Sequence, residues 1–321
     1  MTVSSRAVGM SGLTLPKLVF GGNVFGWTAD EATSFYLLDA CMDTGLTTID
    51  TADVYTRLGG GEGGESETII GRWLKARGPA MRERVTLISK CGLPMGEGLL
   101  GLSKAYIPKA FEASLKRLNT DYIDIYMAHW DDPETPLPET LDAFGQLRDA
   151  GKIKATGGSN YTPARLREVI ATARENGLHG FDIFEGLYNL YDRAPFEDEI
   201  EGICTEAGVA SLSYFSLASG FLTGKYRAGL PGEENKRAMF LQSYFNPRGE
   251  RILAALDEIS AELNATPAQV SIAWLLTRPQ LTGVIASASK ARQFDDLLAA
   301  LTLDLPDAGL AQLDAASREE E

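Results

Sequence analysis

The chain of 321 residues has few of the residues that build metal sites and disulfide frameworks. It contains two histidines, and its three cysteines, Cys41, Cys91 and Cys204, are far apart. No Cys/His group has the spacing of a transition-metal ligand set, so we expect no metal centre. An odd number of dispersed cysteines argues against a disulfide framework and fits a reducing cytoplasm.

Positive charge and long apolar runs are also scarce. Lys and Arg number 30 against 44 Asp and Glu, which gives a net charge of −14. Because such a chain repels phosphate backbones, we expect no nucleic-acid partner. No apolar run approaches the ~18 residues of a membrane span, and the N-terminal segment MTVSSRAVGM lacks the pattern of a signal peptide. These absences predict a cytoplasmic protein that does not bind membranes.

What the sequence has instead is a regular alternation of strand-like and helix-like segments. Strands are predicted at residues 17–22, 47–52, 85–90, 122–130, 153–159, 181–186, 209–216 and 282–287. Helices are predicted downstream at residues 30–45, 66–78, 107–119, 137–151, 162–177, 196–208 and 290–301. Such a run of βα units predicts an α/β fold, a closed (β/α)8 TIM barrel that forms one domain over residues 1–321. The alternative, an open doubly wound sheet, normally has a Gly-x-Gly-x-x-Gly turn after its first strand, and the glycines of GGNVFGW are spaced differently.

Three additions to the barrel are predicted. The segment RAVGMSGLTLPKL indicates an N-terminal β-hairpin that turns at Ser11-Gly12. Extra C-terminal helices are expected at residues 250–264, 266–279 and 307–321. Before them, residues 227–248 form a long polar connection, which is typical of a functional lid or a disordered loop.

Polar side chains at the ends of the predicted strands indicate chemistry, because catalytic groups of such barrels lie there. Lys90 ends an apolar strand, where a lysine is costly unless it is paired, and Asp50 ends the neighbouring strand. Tyr55 follows Asp50 closely, and a neighbouring lysinium lowers a tyrosine pKa from ~10 toward working pH, as suits a general acid. His129 can hydrogen-bond a substrate oxygen. Each residue alone also fits a structural role, but a packed core does not need all four to converge.

With these four residues, the chain resembles the aldo-keto reductase family over nearly its whole length. The resemblance lies in the segments IDTADVY, GGESETIIGRWLK, LISK, YIDIYMAHW, GGSNY, YNLYDR, SLASGFLTGKY and TPAQVSIAWLL, which occur in the family's order. It implies a (β/α)8 barrel that binds NAD(P)H across its mouth and contains no metal. It also implies that Asp50, Tyr55, Lys90 and His129 form the catalytic tetrad, with Tyr55 as the proton donor.

The resemblance further implies a set of cofactor contacts. Ser159 and Asn160 match residues that hold the nicotinamide carboxamide, and Tyr214 matches the aromatic residue stacked on the ring. The other implied contacts are Gly22, Asn23, Glu185, Phe215, Leu217, Ser219, Lys225, Ser287, Ser289, Lys290 and Gln293. Glu185 stands where the family usually has Gln, and a carboxylate accepts hydrogen bonds but cannot donate them. Ser289, Lys290 and Arg292 suit a 2′-phosphate, which favours NADP(H) over NAD(H).

The substrate and the possible alternatives are less sharply defined by the sequence. Phe25, Trp27 and Trp130 are expected to wall the pocket, which favours an apolar or aromatic carbonyl substrate or the matching alcohol. One alternative chemistry is a Schiff base formed on Lys90, as in an aldolase. A second alternative is a cofactor-binding sensor or accessory subunit with little turnover, because some proteins of this family resemble channel β subunits. The sequence predicts no oligomeric state.

Overall fold

A short antiparallel hairpin precedes the barrel. The computed structural model describes residues 4–232 and 237–319, and in it β1 (Ser5–Ala7) pairs with β2 (Thr14–Pro16). The predicted turn residues Ser11 and Gly12 lie between the two strands, where Gly12 adopts a φ of +79°. The predicted N-terminal hairpin is therefore confirmed.

Eight parallel strands then form a closed barrel, which confirms the predicted (β/α)8 TIM fold. In chain order the strands are β3 (Leu18–Gly21), β4 (Thr48–Asp50), β5 (Thr86–Cys91), β6 (Ile123–Ala128), β7 (Ile153–Ser159), β8 (Ile183–Leu187), β9 (Ala210–Tyr214) and β10 (Gly283–Ala286). Sequence neighbours pair from β3 to β9, and β10 closes the ring between β9 and β3. All C-terminal strand ends therefore meet at one mouth.

The helices surround this barrel. They are α1 (Glu31–Thr44), α2 (Glu65–Arg77), α3 (Pro79–Arg84), α4 (Ile107–Leu118), α5 (Leu137–Asp149), α6 (Pro163–Asn176), α7 (Glu201–Ala207), α8 (Pro247–Leu263), α9 (Pro267–Leu276), α10 (Ala291–Ala300) and α11 (Asp307–Ser317). The bounds of α6 follow the sequence signals, since the Thr162 side chain caps its start and Gly177 ends it with a φ of +62°. Helices α8, α9 and α11 are the predicted additions. The short α3 was not predicted, and the helix predicted from residue 196 begins with a π-helical turn, Phe196–Ile200.

The N-terminal end of the barrel interior is apolar. Because successive side chains of a strand point to opposite faces, every second residue of a barrel strand faces inward. The buried cluster inside the barrel comprises Val19, Ile88, Ile125, Met127, Ala155, Ile183, Ala210, Leu212 and Ile285. Val8 and Leu15 of the hairpin belong to this cluster and are fully buried. The hairpin therefore closes this end of the barrel.

The C-terminal end of the same interior is polar. Two positions after Ile88 and Ile183, the strands β5 and β8 carry Lys90 and Glu185, which are buried as well. Asp50 is the last residue of β4 and is also buried. The closed barrel thus brings charged side chains from the neighbouring strands β4 and β5 and from the more distant β8 together beneath the mouth.

The connection predicted over residues 227–248 is partly packed on the domain. It contains 3₁₀ turns at Ala238–Phe240 and Gln242–Tyr244, and the buried Tyr244 donates a hydrogen bond to Asp192 (2.8 Å). Residues 233–236 of this connection and residues 320–321 of the predicted last helix lie outside the described residues. Of the helices that the structure describes, none combines the length and the hydrophobicity needed to cross a membrane.

Candidate active site

A buried ion pair lies at the centre of the mouth. Lys90 of β5 and Asp50 of β4 have side-chain exposures of 0% and 1%, and Lys90 Nζ donates a short hydrogen bond to Asp50 Oδ1. Lys90 Nζ also donates to the backbone oxygen of Thr51 (3.1 Å). Although burial alone would lower the pKa of Lys90, the nearby carboxylates raise it well above its ordinary value. The expected pairing is present, and it keeps Lys90 as an ammonium.

Tyr55 completes a hydrogen-bonded triangle with this pair. Its hydroxyl accepts from Lys90 Nζ (3.1 Å) and donates to Asp50 Oδ2 (3.0 Å). The sequence led us to expect a lowered tyrosine pKa, and this expectation is wrong. Burial and the charge of Asp50 raise the pKa of Tyr55 well above its ordinary value, and the opposing effect of Lys90 is smaller. The phenol therefore carries its proton at neutral pH.

His129 lies directly after β6 and faces the edge of the Tyr55 ring. The two ring centroids are 5.8 Å apart with an interplanar angle of 77°. Burial, with a smaller contribution from Lys90, lowers the pKa of His129 well below its ordinary value, so the imidazole is neutral. Its Nδ1 is buried and has no hydrogen-bond partner in the described part of the chain. A neutral ring in this place can both donate and accept a hydrogen bond.

Glu185 is a second carboxylate against Lys90, and the sequence did not reveal this contact. Its Oε2 lies 3.3 Å from Lys90 Nζ. Asp50 is on β4, which neighbours the strand of Lys90, whereas Glu185 is on β8, which does not. Burial first, and then the charge of Asp50, raise the pKa of Glu185 to about 8. A signal was present in the sequence, because Ile183 and Glu185 are two positions apart on β8 and their side chains therefore point to the same, inward face.

The residues expected to contact the nicotinamide form one hydrogen-bonded chain across the ends of β6, β7, β8 and β9. Tyr214 donates to Asn160 Oδ1 (2.5 Å), and Asn160 Nδ2 donates to Ser159 Oγ and to the His129 backbone oxygen (3.0 Å each). Ser159 Oγ donates in turn to the backbone oxygen of Glu185 (3.0 Å). These contacts fix the polar groups beside the tetrad before any ligand is bound.

The loop after β9 contains strained backbone. Phe215, Ala218 and Ser219 have φ values of +50°, +48° and +56°, which residues with a side chain rarely adopt. Ser219 Oγ is buried and lacks a hydrogen-bond partner among residues 4–232 and 237–319. Strain and an unpaired buried hydroxyl in one loop are typical of a ligand-binding segment. Leu217 is half-buried in this loop, whereas Lys225 is exposed and lies over the Tyr226 ring (4.8 Å).

Two cationic side chains lie at the start of α10. Lys290 and Arg292 are exposed at this helix start, and the Ser289 backbone N–H donates to Gln293 Oε1 (2.8 Å). A helix N-terminus that carries cations favours a phosphate group.

The ends of β10 and β3 are also in contact, since Ser287 Oγ donates to Asn23 Oδ1 (2.6 Å). A Cβ at Gly22 would lie 2.9 Å from the Asp50 backbone oxygen, so this close approach of the chain requires glycine.

The three residues expected to wall the substrate pocket have different environments. Phe25 is fully buried and stacks on Phe20 (5.7 Å), so it belongs to the core and does not line an open pocket. Trp27 is half-buried and lies 5.6 Å below the guanidinium of Arg237. Trp130 is 52% exposed. Phe25 was misassigned because an aromatic residue on a short loop is as readily packed inward as outward.

Trp130 borders a groove beside the mouth that the sequence did not reveal. The groove has a volume of about 320 Å³ and is also lined by Gly92, Leu93, Leu100, Gly101, Asp131 and Asp132. Both aspartates have protein partners, since Asp131 binds Arg165 (3.0 Å) and Asp132 accepts from the Leu102 N–H (2.7 Å). The open surface is therefore mainly apolar. In the described chain, no group of three or more His, Cys, Asp or Glu side chains is placed to hold a metal ion.

Comparison with known proteins agrees with this geometry. The sequence model of the Aldo/keto reductase family matches residues 17–318. The chain is 31% identical over 302 residues to the aldo-keto reductase YhdN of Bacillus subtilis, covering 92% of this chain and 86% of that protein. It is 30% identical over 319 residues to the L-glyceraldehyde 3-phosphate reductase of Escherichia coli K12, covering 96% and 91%. It is 31% identical over 306 residues to a probable voltage-gated potassium channel subunit beta of Arabidopsis thaliana, covering 92% and 90%.

Proposed function

Because the chain belongs to the aldo/keto reductase family of oxidoreductases, we propose that it reduces an aldehyde or ketone to an alcohol, or catalyses the reverse reaction. The observation that carries this proposal is the buried contact of one phenol with an ammonium and a carboxylate. Tyr55 keeps its proton at neutral pH, and its oxygen touches Lys90 (3.1 Å). A proton donor stabilised in this way is what carbonyl reduction needs once charge develops on oxygen.

In the proposed mechanism each of the four residues has a separate task. NADP(H), when bound, supplies the hydride in reduction and accepts it in oxidation. Tyr55 donates its proton to the substrate oxygen, and Lys90 stabilises the tyrosinate that remains. Asp50 holds Lys90 and accepts the Tyr55 hydrogen bond until the phenol turns to the substrate (3.0 Å). His129, neutral and with a buried unpaired Nδ1 in the described structure, orients the substrate oxygen through a hydrogen bond.

The residues at the mouth fit a dinucleotide. The chain Ser159–Asn160–Tyr214 suits the nicotinamide end, and the strained loop with its unpaired Ser219 hydroxyl suits the pyrophosphate. Lys290 and Arg292 at the start of α10 support NADP(H) over NAD(H), because two exposed cations favour a 2′-phosphate. This preference is part of the proposal.

The groove beside Trp130 supports an apolar or aromatic substrate. Leu93, Leu100 and Trp130 offer apolar surface, and Leu100 and Trp130 are each 52% exposed. Of its two aspartates, Asp132 accepts only from neutral donors in the described structure, so its charge would repel a phosphorylated tail. We therefore propose that the preferred carbonyl compound is uncharged and carries an apolar or aromatic group.

The two alternatives differ in the support they receive. A Schiff base needs a neutral lysine, whereas the carboxylates around Lys90 raise its pKa well above the ordinary value. The arrangement therefore disfavours an aldolase. A cofactor-binding sensor or accessory subunit is the second candidate, because the Arabidopsis thaliana relative is named as a probable channel β subunit.

The test is turnover of NADPH and NADH in parallel with a panel of aldehydes and ketones. We expect aromatic and medium-chain aldehydes to be reduced, with a higher kcat/KM for NADPH than for NADH. Binding of either cofactor with no turnover across the panel would favour the sensor. Adducts trapped on Lys90 by borohydride, in the absence of nicotinamide, would favour the Schiff-base chemistry.

A further inference from the structure

Glu185 is a buried carboxylate that the proposed mechanism does not use. Its side chain is 4% exposed and lies 3.3 Å from Lys90 Nζ, which is 3.1 Å from the Tyr55 hydroxyl. Although Lys90 is within ion-pair distance, Oε2 makes no hydrogen bond with the residues that the structure describes. A buried carboxylate oxygen without a hydrogen bond is costly, so it indicates an additional partner or a bound proton.

The partner can be identified from where the hydride must arrive. In the proposed reaction the carbon that would accept the hydride carries the oxygen that receives the Tyr55 proton, so a bound nicotinamide would be held beside that hydroxyl. Lys90 Nζ contacts both Glu185 (3.3 Å) and Tyr55 (3.1 Å). The ring is neutral in NADPH and carries a positive charge in NADP⁺. Glu185 is thus close to a group whose charge changes in every turnover.

The two protonation states of Glu185 suit these two rings differently. As a carboxylic acid it has one O–H donor and a carbonyl acceptor, so it can both donate and accept a hydrogen bond, as a glutamine amide can. As a carboxylate it can only accept, but it attracts a cation. The neutral form therefore fits the neutral ring, and the ionised form fits the cationic ring.

We propose that Glu185 is a positioning residue that binds NADPH as a carboxylic acid and NADP⁺ as a carboxylate, so that binding of NADP⁺ releases a proton. In this step the Glu185 O–H bond breaks, the proton passes to solvent, and the carboxylate charge remains beside the ring. The inference rests on the proposed function, since it requires a nicotinamide at the mouth.

The charged groups that face Glu185 leave it as the source of this proton. Burial raises the pKa of Asp50 from β4 as well, but Asp50 accepts hydrogen bonds from both Lys90 and Tyr55, which favour its ionised form. Glu185 Oε2 accepts none in the described structure, so the proton is assigned to Glu185, and Lys90 from β5 remains an ammonium. His129 beyond β6 is neutral because its pKa lies well below the ordinary value. Tyr55 from the β4 loop and Tyr214 from β9 both have raised pKa values, and they keep their protons near neutrality. Ser159 and Asn160 of the β7 end do not titrate.

The expected effect is large enough to measure. Burial and Asp50 raise the pKa of Glu185 to about 8, so the free protein holds this proton at about pH 7. Two opposite unit charges about 6 Å apart in a medium of effective dielectric about 20 interact strongly enough to change binding roughly tenfold or more. We therefore expect the NADP⁺ affinity to rise about tenfold relative to the NADPH affinity as the pH increases through 8.

The experiment is isothermal titration calorimetry of the full chain at about pH 7, in buffers with different ionisation enthalpies. Binding of NADP⁺ to the wild type should release between about half a proton and one proton, and binding of NADPH should release almost none. Glu185→Gln keeps the ability to donate and to accept a hydrogen bond and removes the ionisation. This variant should bind both cofactors and release no proton.

Tyr55→Phe is the matched control, because it removes the other nearby acid. It should still release the proton when NADP⁺ binds. Release that persists in Glu185→Gln, or that disappears in Tyr55→Phe, would overturn the assignment. If Glu185→Gln does not fold, the wild type alone decides: equal proton release with both cofactors, or a Kd ratio independent of pH, contradicts the inference. Failure to bind any nicotinamide cofactor would instead contradict the proposed function itself.

Discussion

The two ends of the barrel interior are built from the same strands but differ in chemistry, because the buried charges lie only toward the C-terminal end among the described residues. At the N-terminal end, Ile88 and Ile183 pack in an apolar cluster that Leu15 of the hairpin closes. Two positions further along the same strands lie Lys90 and Glu185, buried to a similar degree. Burial of apolar side chains stabilises the fold, whereas burial of charges opposes it unless they are paired. One end therefore provides stability and the other provides chemistry.

The largest expected effect comes from removing the Lys90 ammonium at the polar end of the barrel. Lys90→Met should abolish carbonyl reduction and reduce stability by about 3–5 kcal/mol, because Asp50 and Glu185 lose their shared partner. Both carboxyls would then have pKa values raised above those of the unfolded chain. At low pH both groups are protonated and can be buried without charge. The loss of stability should therefore grow as the pH rises through the pKa values that the two carboxyl groups have in the folded protein.

Urea unfolding at several pH values measures this effect, and Lys154→Met is the matched control. Lys154 binds Asp124 (2.6 Å), but it is half-exposed and Asp124 keeps a second partner in Arg82. The control should cost less than about 1 kcal/mol. A Lys90→Met protein as stable as wild type at high pH would show that the polar end carries no buried charge.

The second prediction removes only the proton donor. Tyr55→Phe should lower kcat by roughly 10²–10⁴-fold while the affinity for NADPH and the stability change little. The reason is that the hydroxyl contributes its proton in the reaction, whereas its contact with Lys90 is one of several that Lys90 makes. Steady-state kinetics and cofactor titration measure the two quantities.

Tyr161→Phe is the matched control, because it removes the hydroxyl of another buried tyrosine. Tyr161 packs against Phe181 (5.4 Å) outside the barrel, and no residue in the described ranges bonds its hydroxyl. This variant should keep its activity. If Tyr55→Phe also kept full activity, Tyr55 would not be the acid.

The third prediction concerns the apolar end and has the smallest effect on activity. Leu15→Ala should reduce the free energy of unfolding by about 2–5 kcal/mol, because it leaves a cavity in the cluster that closes the barrel. At a temperature where the variant is folded, its kcat and KM should match those of the wild type. A loss of turnover in folded Leu15→Ala would mean that the two ends are coupled.

Much of the fold could be predicted from the sequence, because strand and helix patterns are local. Thr162, Pro163 and Gly177 marked both ends of α6 through hydrogen bonds and backbone angles within the same segment. The pairing of Lys90 with Asp50 was predictable too, since neighbouring strands of a parallel barrel bring their ends together.

What could not be predicted depends on packing between distant segments. The contact of Glu185 with Lys90 joins residues on β8 and β5, which are not neighbours in the barrel. The direction in which the Tyr55 pKa shifts depends on whether the effect of burial exceeds that of the Lys90 charge, and a sequence does not show this balance. Phe25 was assigned to the pocket because a loop position alone does not show which way a ring faces.

Transfer of the hydride itself can be followed with an isotope. The wild-type protein should be incubated with an aromatic aldehyde and NADPH that carries deuterium on the transferred position of the nicotinamide ring, and the alcohol product analysed by mass spectrometry. We predict alcohol with one deuterium on the carbinol carbon, and at least about a hundredfold less of this labelled alcohol from Tyr55→Phe over the same time. An alcohol without deuterium, or no alcohol from any carbonyl compound despite bound NADPH, would contradict the claim that the polar end of this barrel reduces carbonyl groups.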